Sequence, residues 1–294
     1  MPEDAPLAPG LYLVATPIGN LNDITLRALD VLRRVDRIAC EDTRQTQKLL
    51  NHFQIATPTE SLHEHNERER AQAIVAALQA GARIAVVSDA GMPGISDPGM
   101  VLASAAIAAG VPVIPIPGAN AALSALVASG LPTGEFQFLG FLPEKAGQRR
   151  TRLEALAAEA DESDRTLVFY EAPHRILDTL ADLEAVFGPD LRIVVARELT
   201  KIHEEFLRGA VAQIRTELQS LDRVRGEITL LVQAPARGAA PAAANTAIAD
   251  RVAQLQSQFA IDEKEALKRL ARELNRSKSE LYRELQRERA ARKR

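Results

Sequence analysis

Residues 83–110 read RIAVVSDAGMPGISDPGMVLASAAIAAG, and this stretch decides the fold of the chain. It opens with a short apolar run rich in Val and Ile, a composition typical of a buried strand. Residues 99–109 are predicted to form a helix that Gly110 closes, because glycine often follows the last helical residue. A strand, a loop and a helix in this order predict one unit of a parallel sheet covered by helices.

The same alternation extends on both sides of this stretch. Short apolar runs predict strands at residues 11–16, 37–40, 83–88 and 111–116. Helices are predicted between them at residues 24–35, 67–80 and 99–109. Strands that alternate with helices in this way favour a parallel sheet with helices on both faces. We therefore predict a first α/β domain over residues 1–117.

The pattern changes after residue 117. A helix at residues 121–129 is followed by predicted strands at residues 136–141, 166–171, 192–197, 204–207 and 227–232. Only a few residues separate the third and fourth of these strands, so a hairpin and a mixed sheet are expected. We predict a second α/β domain over residues 118–235, which makes the fold class α/β with two such domains.

A linker and a small helical unit are predicted to follow. Residues 236–245 are rich in Ala and, with the flanking Pro235, lie in a stretch that holds two prolines and shows no periodicity, which is typical of a linker. In the unit over residues 246–294, helices are predicted at residues 247–259, 262–274 and 277–289. The short joint between the last two is similar to a helix-turn-helix. Leucines at helical spacing predict its core, namely Leu267, Leu270, Leu274, Leu281 and Leu285.

Charge is distributed unevenly along the chain. The net charge is −3, yet residues 245–294 carry thirteen Lys and Arg against eight Asp and Glu. Such a basic segment suggests an anionic partner, and a solvated helix face is the alternative. The single cysteine, Cys40, excludes a disulfide framework and a cysteine metal cluster. Since there is no signal peptide or membrane-spanning run, we predict a cytoplasmic protein without a membrane partner.

The loop at residues 88–99 carries the main chemical signal, with three glycines, two prolines and two aspartates. Ligands of open α/β sheets bind beyond the carboxyl ends of the strands. There, glycine lets the backbone approach a ligand and aspartate accepts hydrogen bonds from hydroxyl or ammonium groups. A plain tight turn is the alternative. The first strand ends in TPIGN, not in the glycine pattern of dinucleotide-binding domains, which disfavours that class.

Several motifs in a fixed order identify a family. They are PIGNL at residues 17–21, EDTR at 41–44, HEHN at 63–66, SDAGMPGISDPG at 88–99, PIPG at 115–118, FYEAPHR at 169–175, ARELTK at 196–201 and GE at 226–227. Together they resemble the small subunit ribosomal RNA methyltransferase I family of the tetrapyrrole-methylase superfamily. The resemblance extends from residue 11 to about residue 232.

The resemblance implies two α/β domains that bind S-adenosyl-L-methionine in the cleft between them. It also implies methyl transfer to the 2′-hydroxyl of a cytidine ribose, with 16S rRNA or the assembled small ribosomal subunit as partner, and a homodimer. The residues placed at the cofactor by the resemblance are Pro17, Gly19, Asp89, Ala90, Gly91, Pro93, Gly94, Ile95, Ser96, Asp97, Gly118, Ala119, Asn120, Tyr170, Glu171 and Ala172. The sequence departs from the family pattern at Met92 and at Ala119-Asn120. Neither departure adds a charge or removes a loop glycine.

Methyl transfer from a sulfonium is a direct displacement, so the protein has to align the acceptor oxygen and help remove its proton. No metal is required. Candidate catalytic residues are Glu41, Asp42, Glu171, Glu198 and Lys201, with His63, His65 and His174 as further proton acceptors. A structural role, such as an Arg197–Glu198 ion pair, is an equal alternative for each. Candidate RNA-binding residues are Arg44, Arg175, Arg197, Arg276, Lys278, Arg283 and Arg287.

Two other functions remain open at this level. The first is carbon methylation of a uroporphyrinogen or precorrin ring, by an enzyme with the same fold and cofactor. The second is a non-enzymatic regulator whose helical tail binds DNA. Few side chains at residues 277–289 suit the reading of base edges, which disfavours this second function.

Overall fold

The structure is a computed structural model that describes residues 6–63, 66–159 and 165–234, together with residues 252, 255–256, 262–273, 281–283 and 285–286 near the carboxyl end. The chain divides into two compact units, residues 1–236 and residues 237–294. Both predicted α/β domains fall within the first unit. The division of that unit at residue 117 stays a prediction, and the predicted linker lies outside the described residues.

The first sheet is parallel throughout, as predicted. Its strands are β1 (Gly10–Val14), β2 (Arg37–Cys40), β3 (Thr59–Ser61), β4 (Arg83–Val87) and β5 (Val113–Ile116). They lie in the order β3-β2-β4-β1-β5. Because all the strands are parallel, the loops that follow β1, β2, β4 and β5 leave the sheet at the same edge.

Helices cover both faces of this sheet, because its strands alternate apolar residues between the faces. The helices are α1 (Leu26–Arg34), α2 (Thr43–His52), α3 (Glu67–Gln79) and α4 (Met100–Ala108). Tyr12 and Val14 pack in one core with α1 and Leu50 of α2. Leu11 packs on the other face with residues of α3 and α4.

The second sheet is mixed, also as predicted. Its strands are β6 (Phe136–Phe141), β7 (Arg165–Glu171), β8 (Arg192–Arg197), β9 (Glu205–Ala210) and β10 (Ile228–Ala234). In the order β6-β7-β10-β8-β9, only the β6–β7 pair is parallel. The predicted hairpin is the antiparallel pair of β8 and β9. A mixed sheet therefore follows a parallel one.

The two faces of the second sheet pack against different partners. The helices of this part of the chain are α5 (Ala121–Ser129), α6 (Ala146–Ala158), α7 (Ile176–Phe187) and α8 (Val211–Gln219). Residues of α6, α7 and α8 build the core on one face. On the other face lie residues of α5, together with Ile18 from the loop after β1. This second core joins the two sheets.

Some predicted boundaries were wrong for identifiable reasons. The first helix begins at Leu26 and not at residue 24, because the Thr25 hydroxyl caps it by accepting a hydrogen bond from the Ala28 N–H at 3.1 Å. The strand predicted at residues 204–207 continues to Ala210, because its ladder with β8 extends to the pair Arg192 and Ala210. Helices α2, α6, α7 and α8 were not predicted.

The second unit has its own small core. Helix α9 (Glu263–Glu273) lies within the segment predicted at residues 262–274. Leu267 and Leu270 pack with Leu281 and Leu285 in one buried cluster that also holds Val252. The core role predicted for these four leucines is confirmed, and Leu274 lies outside the residues whose side chains are described. Every helix in the described part of the chain is too short or too polar to span a lipid bilayer.

Candidate functional site

A cavity of about 360 Å³ lies beyond the carboxyl ends of the first sheet and is lined from both α/β parts. This volume is within the range of small-molecule sites. The residues that line it are Ile18, Ala90, Gly91, Met92, Ile95, Ser96, Asp97, Asn120, Ala121, Phe141, Tyr170, Glu171, Ala172, Pro173, Leu199, Glu227, Ile228 and Thr229. The cavity is therefore the candidate functional site.

The loop at residues 88–99 is tied to the loop after β1. The Thr16 N–H donates to the Gly91 carbonyl at 2.9 Å, and the Gly91 N–H donates back to the Thr16 carbonyl at 3.1 Å. The Thr16 hydroxyl also donates to the Ser88 carbonyl at 3.1 Å. These bonds hold the backbone of residues 90–92 at the edge of the cavity, where it can face a ligand.

Left-handed backbone shapes the rest of this loop. Gly91 and Gly94 both have φ of 81°, Gly99 has φ of 131° and Ser96 has φ of 62°. Glycine adopts such angles without a Cβ clash, whereas serine does so at a cost. The loop turns sharply enough at these positions to bring Ile95, Ser96 and Asp97 into the cavity wall.

A buried carboxylate fixes the far end of the loop. Glu67, only 5% exposed, accepts hydrogen bonds from the Gly99 N–H at 2.9 Å and the Leu102 N–H at 3.0 Å. These two N–H groups belong to the amino-terminal end of α4, where a negative charge is favoured. Glu67 thus anchors the loop from outside the cavity.

The turn after β5 also approaches the first strand closely. A Cβ on Gly118 would lie 2.8 Å from the Ala15 Cβ, so only glycine fits there. Asn120 then caps α5, because its side-chain oxygen accepts a hydrogen bond from the Leu123 N–H at 2.9 Å. The cap places Asn120 and Ala121 in the cavity wall.

Three carboxylates, those of Asp97, Glu41 and Asp89, give a negative field to the side of the cavity that the loop at residues 88–99 forms. Burial, followed by the charges of Glu41 and Asp89, raises the pKa of Asp97 to about 6. Asp89 is held near the β2–α2 turn, since its carboxylate accepts the Asp42 N–H at 3.3 Å. Asp97 lines the cavity and keeps a proton to higher pH than an ordinary aspartate. Such a group can accept a proton near neutral pH.

The end of β7 supplies an aromatic wall. Tyr170 lies edge-on to Phe138 and to Phe141, with ring centroids 5.0 and 5.8 Å apart. Burial raises the pKa of the Tyr170 hydroxyl, so it stays neutral at physiological pH. The rings offer a flat apolar surface against which a heterocycle can stack.

Glu171, predicted as a catalytic candidate, is 2% exposed and engaged in its own local structure. Its carboxylate accepts the Ala172 N–H at 2.9 Å and the Thr179 hydroxyl at 2.6 Å. The Arg175 guanidinium lies 3.3 Å away and also donates to the Leu142 carbonyl at 2.7 Å. Glu171 and Arg175 thus fix the β7–α7 turn that borders the cavity.

Lys201 and two carboxylates form an ion-paired group at another side of the cavity. The Lys201 ammonium lies 2.8 Å from the Glu198 carboxylate and 3.1 Å from the Glu227 carboxylate. Hydrogen bonding to Lys201 lowers the pKa of Glu198, and these two carboxylates raise the pKa of Lys201 against the effect of burial. Lys201 therefore stays protonated near neutral pH and cannot act there as a proton acceptor.

Asp42 and Arg44 face each other outside the cavity. Hydrogen bonds from the Arg44 side chain and backbone lower the pKa of Asp42 to about 2, which makes it a poor base. The Arg44 side chain is 87% exposed and is open to a partner. Arg197 pairs with Glu205 and donates to the Arg225 carbonyl, so it has a structural role, with Glu205 and not Glu198 as its ion-pair partner.

His63 and His174, which the structure describes, lie outside the cavity lining. His63 follows β3, which ends at Ser61. His174 is exposed just before α7. His65, Arg276, Lys278 and Arg287 lie outside the described residues, and Arg283 is exposed in the second unit. In the described part of the chain, His, Cys, Asp and Glu form no cluster suited to a metal.

Nine residues predicted at the cofactor line the cavity, namely Ala90, Gly91, Ile95, Ser96, Asp97, Asn120, Tyr170, Glu171 and Ala172. The others, which support the lining from neighbouring positions, are Pro17, Gly19, Asp89, Pro93, Gly94, Gly118 and Ala119. Sequence reasoning missed Ile18, Phe141, Leu199 and residues 227–229. Ile18, Leu199 and Glu227 lie in the motifs PIGNL, ARELTK and GE, whereas Phe141 is an ordinary apolar residue outside every motif.

The residues present fit S-adenosylmethionine. Its sulfonium and ammonium groups are cationic, and Asp97 provides a carboxylate at the cavity wall, with Glu41 and Asp89 close behind it. Its adenine ring requires an apolar surface, which Ile18, Tyr170 and Leu199 supply. A cavity of this polarity and volume is suited to a cation with an aromatic ring.

Comparison with known proteins agrees with this geometry. A family model described as Tetrapyrrole (Corrin/Porphyrin) Methylases matches residues 10–215. A protein of Halalkalibacterium halodurans named Ribosomal RNA small subunit methyltransferase I is 47% identical over 274 residues, which cover 92% of this chain and 93% of that protein. Its namesake from Synechocystis is 46% identical over 272 residues, covering 92% of this chain and 95% of that protein.

Solved structures share the fold. Diphthine synthase superposes with a TM-score of 0.59 at 15% identity, over 76% of this chain and 89% of that one. Uroporphyrin-III C-methyltransferase from Thermus thermophilus, complexed with S-adenosylhomocysteine, gives a TM-score of 0.52 at 18% identity, over 76% and 96% of the two chains. Identities this low support the fold alone. From the family model and the two long matches, the chain belongs to the tetrapyrrole methylase family and, within it, to the ribosomal RNA small subunit methyltransferase I proteins.

Proposed function

We propose that the chain methylates the 2′-hydroxyl of a cytidine ribose in 16S rRNA, with S-adenosyl-L-methionine as the methyl donor. The observation that carries this proposal is a cavity with an acidic wall in a chain whose relatives bear the name of an rRNA methyltransferase. The substrate is the 16S rRNA or the assembled small subunit. We also propose a cytoplasmic location and a homodimer, on the basis of the family resemblance.

The cofactor supplies an electrophilic methyl group when bound. The backbone of residues 90–97 and the turn at Asn120 would hold it from the first α/β part, and Tyr170 and Leu199 would hold it from the second. The partly buried Asp97, supported by Glu41 and Asp89, balances its positive charge. These residues orient the reacting group and exclude water, which is most of what a direct displacement requires.

Asp97 is the proton acceptor in this proposal. The ribose 2′-oxygen gains the methyl carbon, the electron pair of the carbon–sulfur bond stays on sulfur, and the hydroxyl proton passes to the Asp97 carboxylate. In the free protein the pKa of Asp97 is raised to about 6, and the positive charge of the cofactor lowers it on binding, so Asp97 is ionised and able to accept a proton near neutral pH. Asp42 and Lys201 do not suit this role, because the pKa of Asp42 is about 2 and that of Lys201 is raised above its usual value.

RNA contact is proposed at the exposed Arg44, beside the loop that carries Asp97, and in the basic unit over residues 246–294. Asp89 accepts the Asp42 N–H, so the start of α2 lies next to the cavity wall. A cation there can hold a phosphate that flanks the target ribose. For Arg175 and Arg197 we keep a structural role instead, since both donate to carbonyl and carboxylate groups of the chain.

The domain organisation is part of the same proposal. Residues 1–117 and 118–235 form the two α/β domains around the cavity, residues 236–245 the linker and residues 246–294 the basic helical unit.

Transfer of a labelled methyl group to small ribosomal subunits tests the proposal. The subunits come from a strain that lacks this protein, and the modified ribose is mapped afterwards. We expect label on one cytidine 2′-oxygen. Label on uroporphyrinogen instead of rRNA would contradict the proposed rRNA substrate, and it would still support S-adenosyl-L-methionine as the methyl donor. Absence of cofactor binding by calorimetry would contradict the enzyme assignment.

A further inference from the structure

A group of five residues beside the cavity has a geometry that ion pairing alone does not explain. The group is Gly19, Glu198, Lys201, Gly226 and Glu227, which we call the Lys201 network. Gly19 follows β1 in the first α/β part, whereas the other four belong to the second part. The network therefore joins the two parts that line the cavity.

The Lys201 stem lies directly over Gly19. A Cβ on Gly19 would lie 2.5 Å from the Lys201 Cγ and 3.0 Å from its Cε. Since real Cβ atoms do not approach other atoms so closely, only glycine permits this contact. The neighbouring Ile18 lines the cavity. The position of Lys201 thus constrains the loop that carries Ile18.

The Lys201 head is held by both carboxylates. Glu198 accepts the ammonium at 2.8 Å and also accepts the Glu227 N–H at 3.0 Å, while Glu227 accepts the ammonium at 3.1 Å. The Glu198 N–H in turn donates to the Glu227 carbonyl at 2.9 Å. Lys201 is 29% exposed, so these charge-assisted bonds are partly shielded from water.

The backbone is bent to build this arrangement. Glu198 has φ of 54° and Thr200 has φ of 63°, angles that residues with a Cβ rarely adopt. Gly226 has φ of 87°, and a Cβ on it would lie 2.3 Å from the Glu198 Cγ. Local strain of this kind persists only where surrounding contacts enforce it. Leu199, between the two strained residues, is buried and lines the cavity.

We propose that Lys201 is a positioning residue: laid across Gly19 and paired with Glu198 and Glu227, it fixes the gap between the two α/β parts and so holds Ile18 and Leu199 against the cofactor. It acts through these two side chains and does not take part in proton transfer. The inference rests on the proposed cofactor and is independent of which RNA is methylated.

Binding of S-adenosylhomocysteine, measured by calorimetry, tests the inference. Lys201→Met keeps the stem and removes the charge, and we expect the dissociation constant to rise about tenfold. Arg215→Met is the matched control, because Arg215 pairs with Glu184 at 2.9 Å, is 31% exposed and lies outside the cavity lining. The control should leave the dissociation constant unchanged.

A double-mutant cycle separates positioning from general loss of structure. Gly19→Ala should weaken binding, because its Cβ displaces the Lys201 stem. Adding Lys201→Ala removes the displaced side-chain atoms and leaves only the Leu199 carbonyl oxygen, 3.1 Å from the new Cβ, so the double variant should bind nearly as well as Lys201→Ala alone. Thermal unfolding of each variant checks that the fold is kept. If Gly19→Ala fails to fold, the comparison of dissociation constants between Lys201→Met and its control Arg215→Met tests the inference.

Three outcomes would overturn the inference. They are an unchanged dissociation constant in Lys201→Met, the same loss in Arg215→Met, and additive effects of Gly19→Ala and Lys201→Ala. If the unaltered chain failed to bind S-adenosylhomocysteine, the proposed function would fall together with the inference. Binding that responds as expected, without methylation of rRNA, would contradict the proposed substrate and support the inference.

Discussion

The cavity has one wall made by residues 88–99 and another made by residues 197–201 with 226–229, and the two walls place left-handed backbone on different residue types. In the first wall the turns fall on Gly91, Gly94 and Gly99, with Ser96 as the exception. In the second they fall on Glu198 and Thr200, beside a single glycine, Gly226. The first wall therefore places most of its left-handed backbone on glycines, which adopt it freely. The second places it on Glu198, held by an ion pair with Lys201, and on Thr200, whose N–H donates to the Glu204 carboxylate.

The two walls also differ in the role that we propose for each. The first wall carries Asp97, whose raised pKa suits proton transfer. The second wall carries the Lys201 network, whose charges are already paired and which holds Leu199 in place. Changes at Asp97 should thus alter the chemical step in addition to cofactor binding, and changes in the second wall should alter cofactor binding alone. The following predictions test this division.

Asp97→Asn should have the largest effect. Loss of the proton acceptor is expected to lower kcat about 10²- to 10⁴-fold, since general bases contribute by that order. The KM for the cofactor should change less, because the loop backbone is intact. Asp222→Asn is the control, since Asp222 is exposed and lies outside the cavity lining. Equal kcat values in both variants would show that another group takes the proton.

Glu67→Ala should destabilise the first wall. Two buried N–H groups of α4 lose their acceptor, which costs roughly 1–3 kcal/mol of unfolding free energy. Glu69→Ala on the same turn of α3 is the control, because Glu69 is exposed. Urea unfolding of both variants measures the difference. A loss in Glu69→Ala as large as that in Glu67→Ala would contradict the anchoring role.

Asp97 should make the stability of the free protein depend on pH. Its pKa is raised from 3.8 to about 6 on folding, so the folded state binds the proton more tightly. The resulting stability is fully present below about pH 4 and is lost as the pH rises through about 6. Asp97→Asn should abolish that loss, as unfolding at pH 4 and pH 7 would reveal. Glu41→Gln should move its midpoint to lower pH. An unchanged pH dependence in Asp97→Asn would contradict the raised pKa.

Thr200→Gly should have the smallest effect and the opposite sign. It relieves left-handed backbone at φ of 63° and removes a hydroxyl that is buried without a hydrogen-bond partner. After the entropy cost of glycine, a gain of about 0.5 kcal/mol in unfolding free energy is expected. Thr216→Gly, at an exposed position within α8, should instead lose stability. A loss in both variants would show that Thr200 is not strained.

The same contrast explains what could be predicted from the sequence. The first wall was found because glycines, prolines and aspartates follow a strand, a pattern with few other causes. The left-handed backbone at Glu198 and Thr200 could not be predicted, because neither residue type indicates such an angle. Lys201 was named as a catalytic candidate, and only its distances to Glu198 and Glu227 show that it is paired.

Secondary structure shows the same limit. Strands β1, β2, β4 and β5 were predicted because their apolar runs are typical of strands buried on both faces, whereas β3 was missed because its three residues are polar and only partly buried. Helix α2 was missed because only Thr46 and Leu50 of its ten residues are buried, too few for a periodic signal. Glu171 was predicted as a catalytic candidate, and its structural role was not foreseen because that role depends on Thr179, eight residues along the chain. Such contacts are visible only after the chain is folded.

The central claim is that the cavity binds the cofactor with Asp97 facing its sulfonium. Its most direct test is the number of protons taken up or released when the cofactor binds. Calorimetry near pH 6, in buffers of different ionisation enthalpy, would compare S-adenosylmethionine with the uncharged S-adenosylhomocysteine. The cation should lower the pKa of Asp97 and the neutral thioether should not. Binding of S-adenosylmethionine should therefore release protons from Asp97, whereas binding of S-adenosylhomocysteine should not. Asp97→Asn should remove this difference between the two ligands. Equal uptake with both ligands, or a difference that survives in Asp97→Asn, would contradict the claim.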